Sequence, residues 1–387
     1  MRIRSVEPVL VTYPFAREPL SYCYVKVVGD DGLVGYGEAC DSFGCTYAGV
    51  VGKAVEDAFA PLVVGQELVA VEPLAERMRL FTRRRLGDAW IAVHARSAVE
   101  IALWDLLGKS LGRSVSSLIG RSKERVEVYA SHTFLEEGDA SWHLDLLAPL
   151  LERGVRMVKV RIGPDWRPEL AVLEAIREGL PDDVELMVDG SEIFTVPTAL
   201  EVADAFADLG IRWFEEPVPQ HETRGLDGLA ERSPVPIAYG EHLFGVEGAL
   251  DALERGQLNV LQPDAATCGG IGEARAMARL GAAYGARVVL HHAAGPVSLA
   301  ANLHVAATVH GVRAVEYSHV LRDGWSVGTG PDLGIEAISD GSLAVPDGPG
   351  LGVGLDEDLA ARHPYAIDPT RVAGSRGGLP DRFVGDR

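Results

Sequence analysis

Three short stretches decide the fold: ELMVDG at 185–190, RWFEEP at 212–217 and PIAYGE at 236–241. Each is a mostly apolar run that ends in an acidic side chain, and segments with the apolar spacing of helices separate them. Nearly continuous apolar runs are typical of strands that are covered on both faces, as in a parallel sheet. The pattern therefore predicts strands that alternate with helices.

The same alternation extends in both directions from these stretches. Five further strands are predicted, at 126–131, 157–162, 259–264, 287–292 and 314–317. Eight strand–helix units with a repeat of roughly 25–30 residues predict an α/β fold of the closed (β/α)8 type, a TIM-like barrel. Residues 125–324 are assigned to this barrel.

Residues 1–124 precede the barrel and are predicted to form an α+β capping domain. Two β-rich runs flank the turn sequence GDDG at 29–32, which is a hairpin signal. Helical spacing follows at about 45–61, 70–85 and 92–111. The Gly- and Pro-rich segment 325–387 is expected to pack back on the capping domain, with about the last fifteen residues disordered or forming an arm.

Composition excludes several classes of partner. The chain of 387 residues carries a formal net charge of −20, whereas nucleic acids and anionic membranes select basic surfaces. No apolar run reaches the ~18 residues of a membrane span, and the first residues lack a secretory signal, so a cytoplasmic protein is expected. Four cysteines without paired spacing predict neither a disulfide framework nor a zinc site.

Ionisable side chains stand where the predicted barrel strands end. The carboxyl ends of the strands form the active face of such a barrel. Residues at the ends of successive strands, 23 to 30 positions apart from Lys159 onward, should therefore meet at one mouth, together with Arg161 two positions after Lys159. They are Lys159, Arg161, Asp189, Glu215, Glu241, Asp264, His291 and Glu316.

Three of these acids predict a metal site. Asp189, Glu215 and Glu241 end consecutive strands, so that without a cation they would repel one another. A site made only of oxygen ligands suits Mg²⁺. A single strand-end acid would more often cap a helix or pair with an arginine, but three in succession favour the metal.

A histidine on the other side of the mouth is the candidate general base. His291 could pair with Asp264 on the neighbouring strand, which would fix the tautomer of the imidazole and raise its basicity. Residues i and i+2 of a strand point the same way, so Lys159 and Arg161 should both face the mouth. By the same rule His292 should point away and be structural.

Longer motifs in the same order carry a family resemblance. They include AVEIALWDLLGKSLGRSVSSLIG (98–120), MVDG (187–190), WFEEP (213–217), AYGEHLFG (238–245), QPDAATCGGIGEA (262–274) and LHHAAGPVSLAANLHVAAT (290–308). Over nearly its whole length the chain resembles the enolase superfamily. Within it, the chain is most similar to the mandelate racemase/muconate lactonizing enzyme family and its mandelate racemase-like subgroup.

The resemblance implies Mg²⁺-assisted removal of a proton α to a carboxylate. It implies that His291 and Asp264 form the catalytic dyad, and that Lys159 corresponds to the first lysine of the family's Lys-x-Lys pair. Glu316 corresponds to the acid that donates a hydrogen bond to the substrate carboxylate, so a protonated side chain is expected in its acidic setting. A homo-oligomer, either a dimer or an octamer, is also implied.

Two departures from the family pattern narrow the reaction. Arg161 stands where many members have a second lysine, and an arginine does not give up its proton. A one-base reaction is therefore favoured, in which His291 removes the α-proton and then helps a β-hydroxyl to leave. Ser191 stands where an asparagine often follows the first metal ligand by two positions, so contacts with substrate hydroxyls should differ.

The first functional hypothesis is thus an acid-sugar dehydratase, a lyase that acts on a small carboxylate. The second is an isomerase, either an epimerase with Lys159 as second base or a sugar-lactone cycloisomerase. The third is a barrel that binds metal and ligand without catalysis. The predicted lid consists of two segments, at about 14–24 and 40–48. Arg17 and Tyr22 in the first of them, and His132 just past the first barrel strand, are further candidates for substrate contact.

Overall fold

The capping unit begins with a three-stranded antiparallel sheet in the order β1-β2-β3. The computed structural model describes residues 1–14, 19–41, 44–318 and 330–366. The strands are β1 (Ile3–Pro14), β2 (Pro19–Gly29) and β3 (Val34–Ala39). The hairpin predicted around GDDG is confirmed, and Gly32 in its turn has a φ of 85°, which only glycine adopts without strain.

The helices of the capping unit cover the three predicted stretches, and the last of them, Val115–Ile119, was not predicted. They are α1 (Ala48–Ala54), α2 (Ala60–Val63), α3 (Glu72–Phe81), α4 (Trp90–Leu111) and α5 (Val115–Ile119), with π-helical turns at Val55–Phe59 and Thr82–Leu86. Helix α4 is buried along most of its length and crosses β3 closely. A Cβ at Gly37 would stand 1.8 Å from the carbonyl oxygen of Ala98, so the β3–α4 approach requires glycine.

The predicted eight-stranded parallel barrel is confirmed. Its strands run in the order β4 to β11, and β11 pairs with β4 to close the sheet. They are β4 (Arg125–Phe134), β5 (Met157–Arg161), β6 (Glu185–Asp189), β7 (Phe214–Glu215), β8 (Ile237–Tyr239), β9 (Val260–Leu261), β10 (Arg287–Leu290) and β11 (Val312–Ser318).

Helices follow the strands around the barrel. They are α6 (Ala140–Glu152), α7 (Trp166–Gly179), α8 (Val196–Ala207), α9 (Thr223–Leu226), α10 (Leu229–Arg232), α11 (Gly245–Glu254), α12 (Ala265–Cys268), α13 (Ile271–Ala283) and α14 (Pro296–Ala306). Local sequence sets their starts. The Thr195 side chain, for example, accepts the backbone N–H of Thr198 and so caps α8.

One layer of the barrel interior explains where the functional side chains lie. A buried cluster takes one residue from each strand or its first flanking position: Tyr129, Met157, Met187, Trp213, Ala238, Val260, Val289 and Ala314. Residues two positions further along point the same way, one layer nearer the carboxyl ends. Lys159, Asp189, Glu215, His291 and Glu316 all occupy this next layer. The mouth is therefore polar because the apolar packing stops one layer below it.

The described part of the C-terminal segment touches both units. Strand β12 (Ser342–Ala344) pairs antiparallel with the start of β4, and Pro364 forms an isolated bridge to Val11. A short helix, α15 (Leu359–Arg362), lies between them in sequence. About the last fifteen residues, for which disorder or an arm was predicted, lie outside the described residues, as does the rest of 367–387. Within the described ranges, no helix has the length and hydropathy needed to cross a bilayer.

Candidate active site

The predicted metal ligands lie at the carboxyl ends of three consecutive strands. Asp189 ends β6 and stands opposite Glu215, which ends β7, in the parallel register. Glu241 follows two residues after the end of β8. All three side chains are buried. The three carboxylates thus end neighbouring strands at the mouth, but among the described residues they do not form a group whose ligand atoms all lie within 4.8 Å of one another, and their role as ligands stays a prediction.

Two cations from β5 reach into this group. Lys159 Nζ contacts Glu215 and lies 2.9 Å from Glu316 Oε1 and 3.6 Å from Asp189 Oδ2. Arg161 Nε lies 3.2 Å from Asp189 Oδ2. Lys159 is fully buried. Both side chains therefore point to the mouth, as strand alternation predicts.

Negative charge remains in excess among these groups. Burial raises the pKa of Glu241 to about 8, and repulsion from neighbouring glutamates adds to the effect. Burial also raises the pKa of Glu215, although Lys159 opposes it. Oxygen donors in this electrostatic setting fit a divalent cation, because a bound cation would offset both desolvation and repulsion.

His291 and Asp264 form the pair that the sequence predicts. The Nδ1 of His291 lies 3.0 Å from Asp264 Oδ2, and a carboxylate only accepts, so Nδ1 carries the hydrogen. The other ring nitrogen, Nε2, lies 3.0 Å from Glu241 Oε2 and 3.9 Å from Glu316 Oε2. Burial lowers the pKa of His291, but Glu241, Glu316 and Asp264 outweigh it and raise the pKa to about 10.

The expectation that Glu316 is protonated is wrong. Burial raises the pKa of this carboxyl, but Lys159, His291 and Arg161 together hold it well below its ordinary value. The sequence indicates several acids around Glu316 but not how closely the cations approach it. Glu316 is thus an ionised acceptor between Lys159 and His291, and the hydroxyl of Tyr129 donates to its Oε2 at 3.0 Å.

A second group of ligand atoms adjoins the first and was missed by the sequence reasoning. Glu192, Glu216 and His242 present one ligand atom each within 4.8 Å of one another, an arrangement consistent with a divalent metal site. His242 Nδ1 lies 3.1 Å from Glu216 Oε1, and its Nε2 lies 3.7 Å from Glu241 Oε1. The doublets EE at 215–216 and EH at 241–242 were the available signal.

The predicted substrate residues occupy different environments. Ser191 is half-buried, and its N–H and hydroxyl donate to Asp189 Oδ1 at 2.7 Å and 3.2 Å. His132 is fully buried with its Nε2 2.9 Å from His143 Nδ1, and its carbonyl oxygen accepts from Arg161. These contacts support the strand ends, and substrate contact by either residue stays a prediction.

The predicted lid is only partly described. Tyr22 lies fully buried on β2, with its ring stacked 6.2 Å from that of Tyr24. Arg17 lies outside the described residues. The capping loop does reach the barrel mouth, since the N–H of Gly44 donates to the carbonyl oxygen of Ala293 at 2.8 Å. This contact joins the lid region to the loop that follows His291.

Two buried glutamates of the capping unit dock on barrel helices. Glu38 on β3 accepts the N–H groups of Gly295 at 2.6 Å and Ser298 at 2.8 Å, at the start of α14. Glu100 on α4 accepts those of Ile271 and Gly272 at the start of α13. Carboxyl oxygens at helix N-termini satisfy donors that have no partner within the helix. The capped helices α13 and α14 follow Asp264 and His291 in the chain.

Comparison with known families agrees with this geometry. Residues 4–120 match the mandelate racemase / muconate lactonizing enzyme N-terminal domain. Residues 144–359 match the enolase C-terminal domain-like family. The chain belongs to the mandelate racemase/muconate lactonizing enzyme family. It is therefore a member of the enolase superfamily, as the motifs predicted.

Relatives of this family member include both dehydratases and cycloisomerases. The D-galactarolactone cycloisomerase of Agrobacterium fabrum is 30% identical over 357 residues, which span 87% of this chain and 90% of that enzyme. The arabinonate dehydratase of Saccharolobus solfataricus is 32% identical over 346 residues, which span 87% of this chain and 89% of that enzyme.

A solved structure of similar fold carries a small carboxylate. This structure, of a Bordetella bronchiseptica RB50 protein complexed with 2-oxoglutarate/phosphate, has a TM-score of 0.86 to this family member and 28% sequence identity. The match covers 95% of this chain and 99% of that one. The similarity therefore extends over both the capping unit and the barrel.

Proposed function

We propose that the chain is a Mg²⁺-dependent acid-sugar dehydratase, which removes the proton α to a carboxylate and eliminates water from the β-carbon. The observation that carries the proposal is the 3.0 Å contact between His291 and Asp264 at the mouth that also holds three strand-end carboxylates. A base and a site for a cation then face the same space. Removal of a weakly acidic α-proton needs both.

Asp189, Glu215 and Glu241 would hold the cation. They supply only carboxylate oxygens, they are buried, and burial raises the pKa of Glu215 and Glu241. When bound, Mg²⁺ would act as a Lewis acid toward the substrate carboxylate and stabilise the negative charge that proton removal creates.

His291 carries the proton in both halves of the reaction. Its Nε2 takes the proton from the α-carbon, and the electron pair of the broken C–H bond forms the second bond of a double bond between the α- and β-carbons. The β C–O bond then breaks, and the same proton goes to the departing hydroxyl to form water. The remaining enol becomes a 2-keto acid. Asp264 accepts the hydrogen of Nδ1 throughout, so Nε2 is the ring nitrogen that exchanges the proton with the substrate.

The residues on β5 favour this one-base course over epimerisation. Arg161 cannot act as a base, because a guanidinium keeps its proton at any pH at which proteins fold. Lys159 Nζ is surrounded by Glu215, Glu316 and Asp189. Its position suits a cation that orients carboxylates. An epimerase would need a second titratable group free to reach the other face of the α-carbon.

Cycloisomerisation of a sugar lactone is the second candidate. The 30% identity to D-galactarolactone cycloisomerase over 87% of the chain favours it. The same His291 would remove the α-proton in that case. The products of the two reactions differ in mass. A dehydratase product is lighter than its substrate by one water, whereas an isomerase product has the same mass as its substrate.

A screen of mono- and diacid sugars and their lactones with Mg²⁺ tests the proposal. Semicarbazide detects 2-keto products, and mass spectrometry reports whether water was lost. The expected result is a carbonyl product lighter by one water from an open-chain acid sugar. A product of unchanged mass from a lactone would establish the cycloisomerase instead. Turnover that persists in His291→Asn would contradict both reactions.

A further inference from the structure

One buried amide joins the two segments that carry the dyad. Asn302 lies on α14, is fully buried, and is eleven residues after His291 in the chain. Its Nδ2 donates to Asp264 Oδ1 at 2.8 Å and to the carbonyl oxygen of His291 at 3.2 Å. Its Oδ1 accepts the N–H of Ala265 at 3.0 Å. A single side chain therefore holds both catalytic segments.

The hydrogen bonds leave one orientation for this amide. If its oxygen and nitrogen were exchanged, the NH₂ group would face the N–H of Ala265 and the oxygen would face the Asp264 carboxylate. Both contacts would be repulsive. In the observed orientation the two N–H donors and the oxygen acceptor each have a partner in the interior, where an unpaired polar group is costly.

The amide also sets the rotation of the Asp264 carboxylate. Oδ1 accepts from Asn302 and from the N–H of Ala266 at 2.8 Å. Oδ2 is then the oxygen that meets Nδ1 of His291. No cation pairs with Asp264 apart from His291 among the described residues. The orientation of the carboxylate therefore depends on neutral donors to Oδ1, and among the described residues Asn302 is the one side chain besides His291 that forms a hydrogen bond with this carboxylate.

We propose that Asn302 is a positioning residue for the His291–Asp264 pair. Its role rests on the proposed function, in which His291 moves the proton. Asn302 fixes the separation of the two segments and turns Oδ2 of Asp264 toward Nδ1, so that Nε2 points to the mouth. Loss of its donors should slow proton transfer and leave substrate binding nearly unchanged, because the side chain itself lies below the mouth.

The decisive variant is Asn302→Asp, which keeps the size and the acceptor for Ala265 but replaces both donors by an oxygen. His304→Gln is the matched control. His304 lies on the same helix, is equally buried and also makes two hydrogen bonds, to the N–H of Ser116 and the carbonyl oxygen of Leu351. Neither partner belongs to the dyad. A purely structural effect should appear in both variants.

Two readouts separate positioning from stability. In Asn302→Asp, kcat per folded enzyme should fall by roughly 100-fold with KM within a factor of about three, as expected for a misplaced catalytic group. In His304→Gln, kcat per folded enzyme should stay near that of the wild type. The second readout is the downfield proton resonance of His291 Nδ1–H, assigned by its absence in His291→Asn. It should shift or vanish in Asn302→Asp and persist in His304→Gln.

The nuclear magnetic resonance readout needs no substrate, so it remains informative even if the proposed reaction is wrong. An unchanged resonance in Asn302→Asp would overturn the inference, and so would a kcat within about threefold of the wild type. If Asn302→Asp does not fold, Asn302→Ser takes its place with the same two readouts. In that variant, a loss of kcat equal to that of His304→Gln would likewise reject a positioning role.

Discussion

Replacing Glu38 by glutamine should remove a large part of the pH dependence of stability. Burial raises the pKa of Glu38 from 4.5 to about 8, even though the N–H groups of Ser298 and Gly295 donate to it and lower the pKa. Asp264 raises it further. The nearby hydroxyl of Tyr13 has a pKa of about 12 and Cys23 also about 12, so neither titrates in the same range.

The direction of the effect follows from proton binding. Between pH 4.5 and about 8 the unfolded chain has released the Glu38 proton while the folded protein still holds it. Stability from this group is therefore complete below the unfolded pKa and is lost as pH rises through the folded pKa. With about 1.36 kcal/mol for each pKa unit, the loss across this window is about 4 to 5 kcal/mol.

Urea unfolding of the wild type and Glu38→Gln at several pH values measures this difference. Other buried acids, such as Glu100 with a pKa of about 7, titrate in both proteins and cancel in the comparison. Relative to the wild type, Glu38→Gln should gain about 4 kcal/mol between pH 4.5 and pH 8. Two stability curves that run parallel within about 1 kcal/mol over this range would refute the reasoning.

Two further predictions concern the mouth of the barrel. Glu215→Gln should weaken Mg²⁺ binding by at least ~10-fold in isothermal titration calorimetry, whereas Glu216→Gln should leave the affinity nearly unchanged. The opposite ranking would place the cation at the cluster of Glu192, Glu216 and His242. Asp264→Asn should lower kcat by about 100- to 10,000-fold and leave Mg²⁺ affinity unchanged, because the substitution disturbs the tautomer of His291 but no proposed metal ligand. A kcat near that of the wild type would exclude a catalytic role for the His291–Asp264 pair.

Much of the barrel was predictable because its strands are short, apolar and regularly spaced. The apolar layer inside the barrel shows why the site residues could be predicted together with the strands. Met157, Met187 and Val289 pack inside the barrel, and Lys159, Asp189 and His291 follow each of them by two positions. Strand periodicity therefore determines both the core and the side chains above it. The positions of these residues at one mouth could therefore be predicted without a three-dimensional structure.

Strand periodicity fails just beyond the last strand residue. Glu216 should point away from Glu215 by alternation, yet it has a φ of 37° and its carboxylate meets His242. A left-handed residue at this point turns the chain out of the strand, and sequence alone does not indicate it for a glutamate. The second ligand cluster was missed for this reason.

Contacts between distant segments were the other part that the sequence did not indicate. Asn302 lies within a helical pattern, where an apolar face predicts packing and gives no partner for an amide. Glu316 was expected to be protonated because acids surround it, but its cationic neighbours come from β5 and from the residue after β10, far away in the chain. The charge state of a buried group depends on its distances to charged neighbours within a few ångströms, and the spacing of residues along the chain does not give these distances.

Proton nuclear magnetic resonance in D₂O, with Mg²⁺ and an acid sugar turned over in the screen, tests the central claim most directly. The wild type should convert the substrate into a 2-keto acid that lacks the β-hydroxyl, and His291→Asn should leave both the substrate and its α-proton resonance intact. Exchange of the α-proton for deuterium in the wild type without any keto acid would contradict the one-base elimination and indicate an epimerase.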